Sequence, residues 1–405
     1  MLSKEENDAL TLVGAGTPAG DLLRRYWHPV AVAGELTAEQ PTKRVTILGE
    51  QLVVYRLPPK PGESEARYGL TAEGCRHRMA SLALGIVDCE GIRCIYHGWK
   101  YAPDGRCIEQ PAEPPNSTYK NRIHQPSYPV RKLAGLLFAY MGPLPEPILP
   151  RWDVLARSDG RRWIEIESVI DCNWLQPVEN SVDPAHVFWL HGTLTPKDLL
   201  AVAAPQIMSK YDETHEFVEF KYGIIKRRIT PGNAPKDAPF VAEHPLIFPT
   251  TLRLVEVDYG HEESPGNFRH SLQIRVPLDD RRTLVYRVYF VPSMVHQSPP
   301  EVDPPFRHCP LKTEAGYDMN ILTAQDAMAW ESQGAITDRT QEHLGHSDRG
   351  IVMFRRLLSN QTDLVRQGAD PMCVFRDESE ERMIGFEVFN ERIGLLRGAA
   401  KEAYE

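Results

Sequence analysis

The stretch from residue 75 to residue 101, CRHRMASLALGIVDCEGIRCIYHGWKY, places Cys75 and His77 in one short loop and, sixteen residues later, Cys94 and His97 in another. Cysteine and histidine are strong ligands for transition metals, so this spacing constrains the chain more than any other feature. If the four side chains share one centre, the two loops must lie side by side. The surrounding sequence suits that geometry. Gly74, Gly91 and Gly98 allow tight loops with close backbone approach. VTILGEQLVVYRL (residues 45–57), YGLTAE (68–73) and YPVRKLAGLLFAYMG (128–142) are strand-like runs separated by turns. The first 145 or so residues therefore read as a small β-rich domain built around two metal-binding loops.

Two thiolates and two imidazoles form a closed structural zinc set. A zinc finger, however, groups Cys with Cys and His with His along the chain, whereas here each loop supplies one of each. That order lets the two thiolates hold one iron of a [2Fe–2S] cluster while the two imidazoles hold the other. Backbone amides of the glycine-rich loops can then approach the bridging sulfides. Structural zinc and four unrelated core residues stay open as plainer readings.

At 405 residues the chain is long enough for two domains, each with its own core. The 55 acids and 46 bases, net charge −9, are scattered without a basic arm, so nucleic acid is not an expected partner; small molecules or proteins are. No run approaches the length of a membrane span, and MLSKEENDALTLVGAGTPAGD carries acids where a signal peptide needs a basic start, which predicts a cytoplasmic protein. Seven cysteines, an odd number, fit a reducing compartment. GAGTPAG (14–20) is a poor match to a dinucleotide loop, since no strand precedes it and no βαβ unit follows.

A proline-heavy join, PLPEPILPRWD (143–153), divides residues 1–150, with a core of about 27–145, from a second domain at 151–405. Short helices are expected at 4–12 and 20–27. The second domain offers strand-like runs HEFVEFKYGIIKRRIT, TLRLVEVDYG, NFRHSLQIRVPL and TLVYRVYFVPS. Helices then run from about Tyr317 to Arg366, with a short strand-like piece near Ile384 to Val388. Strands followed by helices, without βαβ alternation, predict an α+β fold.

Residues 179–192, ENSVDPAHVFWLHG, hold a second constellation. Five residues on an ideal helix separate His186 from His191 by about 140°, so they share a metal only if the helix is distorted or ends between them. Two unrelated helix-end histidines are the plainer reading. A 2-His-1-carboxylate site, which leaves open positions on iron, would need an acid from Asp318, Asp326, Glu331, Asp338, Glu342 or Asp348. Asp326 sits in the most apolar setting, ILTAQDAMAW, where an unpaired carboxylate is costly; Glu331 is second. Asp183, before Pro184, is a good helix cap.

With both constellations in view, the chain resembles the catalytic subunit of Rieske non-heme iron oxygenases over essentially its whole length. Arg78 after the first histidine and YHGWKY after the second cysteine agree with that family. The extra loop cysteines of respiratory Rieske proteins are missing, and Arg76 stands where relatives commonly have proline. The resemblance implies an N-terminal all-β Rieske domain with Cys75, His77, Cys94 and His97 as cluster ligands. It implies a C-terminal helix-grip domain with an antiparallel sheet, where His186, His191 and Asp326 hold a mononuclear Fe(II). It further implies a head-to-tail homotrimer in which Asp183 bridges His97 of one chain to His186 of the next. Electrons would come from NAD(P)H through a separate reductase or ferredoxin, with O₂ as co-substrate.

ESQGAITDRTQEHLGHSDRGIVMFRRLL (331–358) and GDLLRRYWHPV (20–30) resemble the phthalate and phenoxybenzoate dioxygenase branch, which includes an O-demethylase of the lignin biphenyl 5,5'-dehydrodivanillate. An aromatic acid substrate follows, with O-demethylation favoured over ring cis-dihydroxylation. Its carboxylate would suit a guanidinium: Arg227 or Arg228, on opposite faces of a strand, with Arg253 and Arg275 as further options. A zinc-loaded binding protein or a simple electron carrier would lack the iron or the substrate-dependent O₂ uptake.

Overall fold

The computed structural model describes residues 1–196, 213–230, 240–257, 268–380 and 382–385. The chain enters through helix Lys4–Thr11, started by a capping box: the Ser3 hydroxyl accepts from the Glu6 amide (3.1 Å) and the Glu6 carboxylate accepts from the Ser3 amide (2.7 Å). A second helix, Pro18–Leu23, is capped by Thr17. It ends earlier than the expected residue 27, and Trp27–Val32 is a strand instead, which suits the extended backbone that Pro29 imposes on His28.

Three small antiparallel sheets follow. One joins Trp27–Val32, Leu136–Tyr140 and Val130–Leu133. The second orders Thr42–Ile47, Glu50–Leu57, Arg67–Ala72 and Ser127–Tyr128. Its first hairpin turns through Leu48 and Gly49, both at positive φ (49° and 81°), as a two-residue hairpin loop requires. The third is built from the short strands Ile86–Val87, Ile92–Arg93, Lys100–Tyr101 and Cys107–Glu109.

The remainder is organised by an eight-stranded sheet in the order Thr214–Phe220, Gly223–Thr230, Phe240–Ile247, Thr251–Val257, Phe268–Asp279, Arg282–Pro292, Gly160–Glu167, Phe306–Cys309. All its pairs are antiparallel except the last. The α+β expectation is met. Phe240–Ile247 was not anticipated, since His244 and Pro245 interrupt the apolar alternation that marks a strand. The helical run expected from Tyr317 to Arg366 is two helices, Leu322–Ser332 and Arg349–Arg366. Tyr317 lies in a two-residue strand, and Gly334 at φ 90° turns the chain after the first helix. Of the expected C-terminal piece, Met383–Ile384 pairs in parallel with Arg151–Trp152, and Val388 lies outside the described residues.

The largest core draws on both sides of the proline-rich join. Val30, Ala31, Phe138 and Tyr140 belong to the same apolar cluster as Ile164, Leu272, Val288, Phe290 and Phe354. The Leu48–Gly49 turn also donates two backbone hydrogen bonds to Pro277 and Leu278 of the large sheet (3.0 and 2.8 Å). Helix Arg349–Arg366 buries Phe354, Leu357, Leu358 and Val365, spaced for one helical face, at roughly 1.5–3 kcal/mol for each such side chain. Among the described residues no helix is long and apolar enough to cross a membrane.

Candidate metal centres

The first loop leaves strand Arg67–Ala72 and turns at Cys75, whose amide donates to Ala80 while its carbonyl accepts from Met79. The second joins Ile92–Arg93 to Lys100–Tyr101, with the Cys94 amide on the Trp99 carbonyl (2.8 Å) and the Gly98 amide on the Cys94 carbonyl (2.9 Å). Gly98 has φ 77°, and an added Cβ would meet Pro111 at 3.0 Å, so glycine is needed there. Cys75 and Cys94 are buried while His77 and His97 sit half-buried at the rim. The two imidazole centroids are 4.6 Å apart, and His77 stacks on Trp99 at 4.4 Å.

Burial pushes the Cys75 thiol up, and its sulfur lies 3.1 Å from the Tyr101 hydroxyl. The His97 Nδ1 is buried without a hydrogen-bond partner. A buried orphan nitrogen beside two desolvated sulfurs is the setting a metal cluster would satisfy. Among the described residues, the trio of His, Cys or carboxylate ligand atoms lying within 4.8 Å of one another is His186, His191 and Asp326. Cys75, His77, Cys94 and His97 thus do not close on one tetrahedral ion, as zinc would require, and the two-iron arrangement fits better.

Sequence reasoning missed Gln125, which is fully buried and holds the first loop: its Oε1 accepts from the Arg76 amide (3.0 Å), and its Nε2 donates to the Ala72 and Gly74 carbonyls. Nothing in its local sequence, fifty residues downstream, marks it. Arg76 itself is exposed.

At the second centre the five-residue spacing is resolved by a π-helical turn at Val187–His191, closed by the Gly192 amide on the Val187 carbonyl. In an i→i+5 turn, residues five apart come to one face. The His186 and His191 rings lie 5.4 Å apart, and both face Asp326 on helix Leu322–Ser332. Asp326 Oδ1 is 3.3 Å from His191 Nε2 and 3.8 Å from His186 Nε2. Burial pushes the Asp326 carboxyl up, but His191, His186 and the Asn180 amide (3.2 Å) outweigh it and hold the group below the usual carboxylate range. Each histidine has a partner for its other nitrogen: Asp183 Oδ2 lies 3.3 Å from His186 Nδ1, and Gln325 Oε1 lies 2.8 Å from His191 Nδ1. Such partners leave both Nε2 atoms facing the carboxylate, which is how metal-binding imidazoles are oriented. Asp183 also caps the following turn through the Ala185 amide (2.8 Å), so the structural role expected of it coexists with its contact to His186.

The other acids are engaged elsewhere. Glu331 is bound by Lys312, Tyr317 and the Asp171 amide. Glu342 pairs with Arg355, while Asp318, Asp338 and Asp348 accept from neighbouring turn residues. Of the arginines, Arg227 is half-exposed and tied to Glu243 (2.6 Å). Arg228, on the opposite face, makes two 2.8 Å bonds to Glu213. Arg253 is buried against Asp153 and His270. Arg275 is buried in strand Phe268–Asp279 beside Gln273.

Comparison with known proteins identifies the family. Residues 26–129 match the Rieske [2Fe–2S] domain family, and residues 313–389 match the family described as LigXa C-terminal domain like. The chain is 36% identical to the 5,5'-dehydrodivanillate O-demethylase oxygenase subunit of Sphingobium sp., over 100% of this chain and 91% of that protein. It is 35% identical to the phenoxybenzoate dioxygenase subunit alpha of Ectopseudomonas oleovorans, over 92% and 88%. Among solved structures, Pseudomonas putida NdmA with caffeine superposes with a TM-score of 0.62 at 21% identity, covering 89% of this chain and 99% of that one, which shows a shared fold. Two metal-competent sites, a Rieske domain and end-to-end likeness to oxygenase subunits lead to one assignment: the chain belongs to the Rieske oxygenases, as an oxygenase subunit carrying a [2Fe–2S] domain.

Proposed function

We propose that this subunit O-demethylates a methoxylated, lignin-derived aromatic acid such as 5,5'-dehydrodivanillate, using O₂ and electrons delivered from NAD(P)H by a separate reductase or ferredoxin. The observation that carries the reading is the full-length 36% identity to an O-demethylase of that substrate. Cys75, His77, Cys94 and His97 would hold the [2Fe–2S] cluster, and His186, His191 and Asp326 the mononuclear iron. The irons supply electron storage and oxygen activation when bound. The chain supplies the rest: Asp183 and Gln325 orient the two imidazoles, and Asn180 fixes the carboxylate. In the overall reaction one oxygen atom enters the methyl C–H and the other leaves as water, with two electrons and two protons consumed. The resulting hemiacetal breaks to a phenol and formaldehyde.

The working unit would be a head-to-tail homotrimer, with Asp183 linking His97 of one chain to His186 of the next. In support, apolar side chains are exposed at both prospective faces: Met79, Ile95 and Tyr96 around the first centre, and Trp189 beside the second. A cytoplasmic location and the division at residue 150 complete the proposal. Ring cis-dihydroxylation of a related aromatic carboxylate is the second reading, favoured by the 35% identity to a phenoxybenzoate dioxygenase subunit. Mass spectrometry decides between them, on iron-loaded protein supplied with a reductase, O₂ and paired methoxylated and unmethoxylated aromatic acids. Formaldehyde with a demethylated phenol is expected; a product with two new ring hydroxyls would replace the proposal with the second reading.

A further inference from the structure

We propose that Arg275 is the group that binds a carboxylate of the substrate, in preference to Arg227 or Arg228. The inference rests on the aromatic-acid reading above and deepens it to one residue.

The sheet register defines the face concerned. Ile224, Leu246, Leu252, Gln273, Arg287 and Glu165 are successive cross-strand partners, so they share one face. Residues two apart along each strand share it too, which adds Lys226 and Arg228, Arg275, and Glu167. This face carries Asp326 chemistry, because Arg287 donates to the hydroxyl of Thr323, one turn before Asp326 on helix Leu322–Ser332. Arg227 points to the other side.

Of the four cationic residues named on this face, two are matched by carboxylates. Arg228 is held by Glu213 through two 2.8 Å bonds, and Arg287 by Glu167 at 2.9 Å. Arg275 differs. It is only 2% exposed, two of its nitrogens reach no further than the carbonyl and side-chain oxygen of Gln273 (3.2 and 3.1 Å), and its Nε is buried with no acceptor. Among the described residues no carboxylate lies within ion-pair distance of it. The acids that influence it are Asp326, which faces the two histidines, and Glu167, which binds Arg287 through Oε1 and keeps a buried Oε2 without a hydrogen-bond partner; neither makes an ion pair with Arg275. Lys226, also buried, has its Nζ on the Asp183 carbonyl (3.3 Å), and burial together with Arg228 pulls its pKa down to about 7, so Arg275 is the firmer of the two charges. Burial and the neighbouring Arg287 pull the Arg275 guanidinium down to about 10, so the folded chain bears a cost for keeping it there. A buried fork of donors with a neutral partner and an orphaned Nε is a receptor for an anion that arrives from outside, and a planar carboxylate matches its geometry.

The test uses iron-loaded protein and calorimetric binding of 4-methoxybenzoate, 3-methoxy-4-hydroxybenzoate and a methoxylated biphenyl dicarboxylate, each against its primary amide. The wild type should bind acids in preference to amides. In Arg275→Met the acid affinity should fall roughly 10- to 100-fold, the amide affinity should hold, and the melting temperature should stay level or rise, since no native ion pair is broken. Arg275→Lys keeps the charge but loses the fork, so it should retain only part of the acid preference, and it decides the matter if the Met variant does not fold. Equal binding of acid and amide by the wild type, binding of neither, or an acid preference that survives in the variants would overturn the proposal. Binding is read without turnover, so a diol in place of formaldehyde would remove the demethylase reading and leave the anchor standing.

Discussion

At the scale of single residues, the candidate ligands are what the sequence makes visible, because Cys and His at short spacing and an acid in an apolar run are rare patterns with few other uses. Their supports are not visible. Gln325 is an ordinary glutamine beside Asp326 in sequence. In the fold it is fully buried, with its Nε2 donating to the Met319 carbonyl (2.7 Å) and the Thr195 hydroxyl (3.1 Å), and that anchoring leaves Oε1 to take the His191 Nδ1 proton. Gln325→Leu should therefore cost roughly 10- to 100-fold in iron affinity at the mononuclear centre, read as iron retained per chain after dialysis against a graded chelator, with the [2Fe–2S] absorbance unchanged. Retention equal to wild type would mean that His191 orients itself. Tyr101 offers a parallel case at the other centre. Its hydroxyl donating to Cys75 sulfur favours the more electron-rich reduced cluster. A hydrogen bond of about 1 kcal/mol corresponds to about 40 mV for one electron. Tyr101→Phe should lower the midpoint potential by that order in a redox titration, and an unmoved potential would show that the hydroxyl contributes nothing to the cluster.

At the scale of elements, the regular pieces were legible and their interruptions were not. The hairpins and long strands of the large sheet follow alternation, whereas strand Phe240–Ile247 hides behind a proline and a histidine, and the C-terminal helical run breaks where Gly334 turns the chain. The His186–His191 spacing signalled that an ideal helix could not present both rings, but only packing determines that the distortion is a π turn. That packing has an identifiable point of contact. Gly350, in the first turn of helix Arg349–Arg366, lies so close to its neighbours that an added Cβ would stand 2.4 Å from the Val182 carbonyl oxygen and 2.4 Å from the Phe217 ring. The carbonyl belongs to the segment leading into Asp183 and His186, and it cannot rotate away as a side chain could. Gly350→Ala should destabilise the protein by about 1–3 kcal/mol, as overpacking does, and should also lower iron occupancy of the mononuclear centre. Loss of stability with full iron occupancy would show that the helix shifts instead of the metal-bearing segment.

At the scale of the whole molecule, the two halves share their largest core, and a titratable group lies inside it. His28 is 2% exposed on strand Trp27–Val32, with Nε2 donating to the Leu23 carbonyl at 2.7 Å. Burial is the main cause that lowers its pKa to about 4; Arg24 adds to it and the Leu23 hydrogen bond opposes it. The unfolded chain, with histidine near its ordinary 6.5, takes up the proton first as pH falls. Stability should therefore decline between about pH 6.5 and pH 4, by up to roughly 3 kcal/mol, and this contribution should level off below pH 4, where both states carry the proton. Carboxylates add their own acid sensitivity, so the informative quantity is a difference. His28→Gln can still donate to Leu23 but cannot titrate. Urea unfolding of both proteins at pH 7.5, 5.5 and 4.5 should find the variant less stable at pH 7.5 and the gap narrowing or reversing as the pH falls. A gap independent of pH would mean that the protonated imidazole is accommodated in the fold, and that the seam between the halves admits water or an acid at His28.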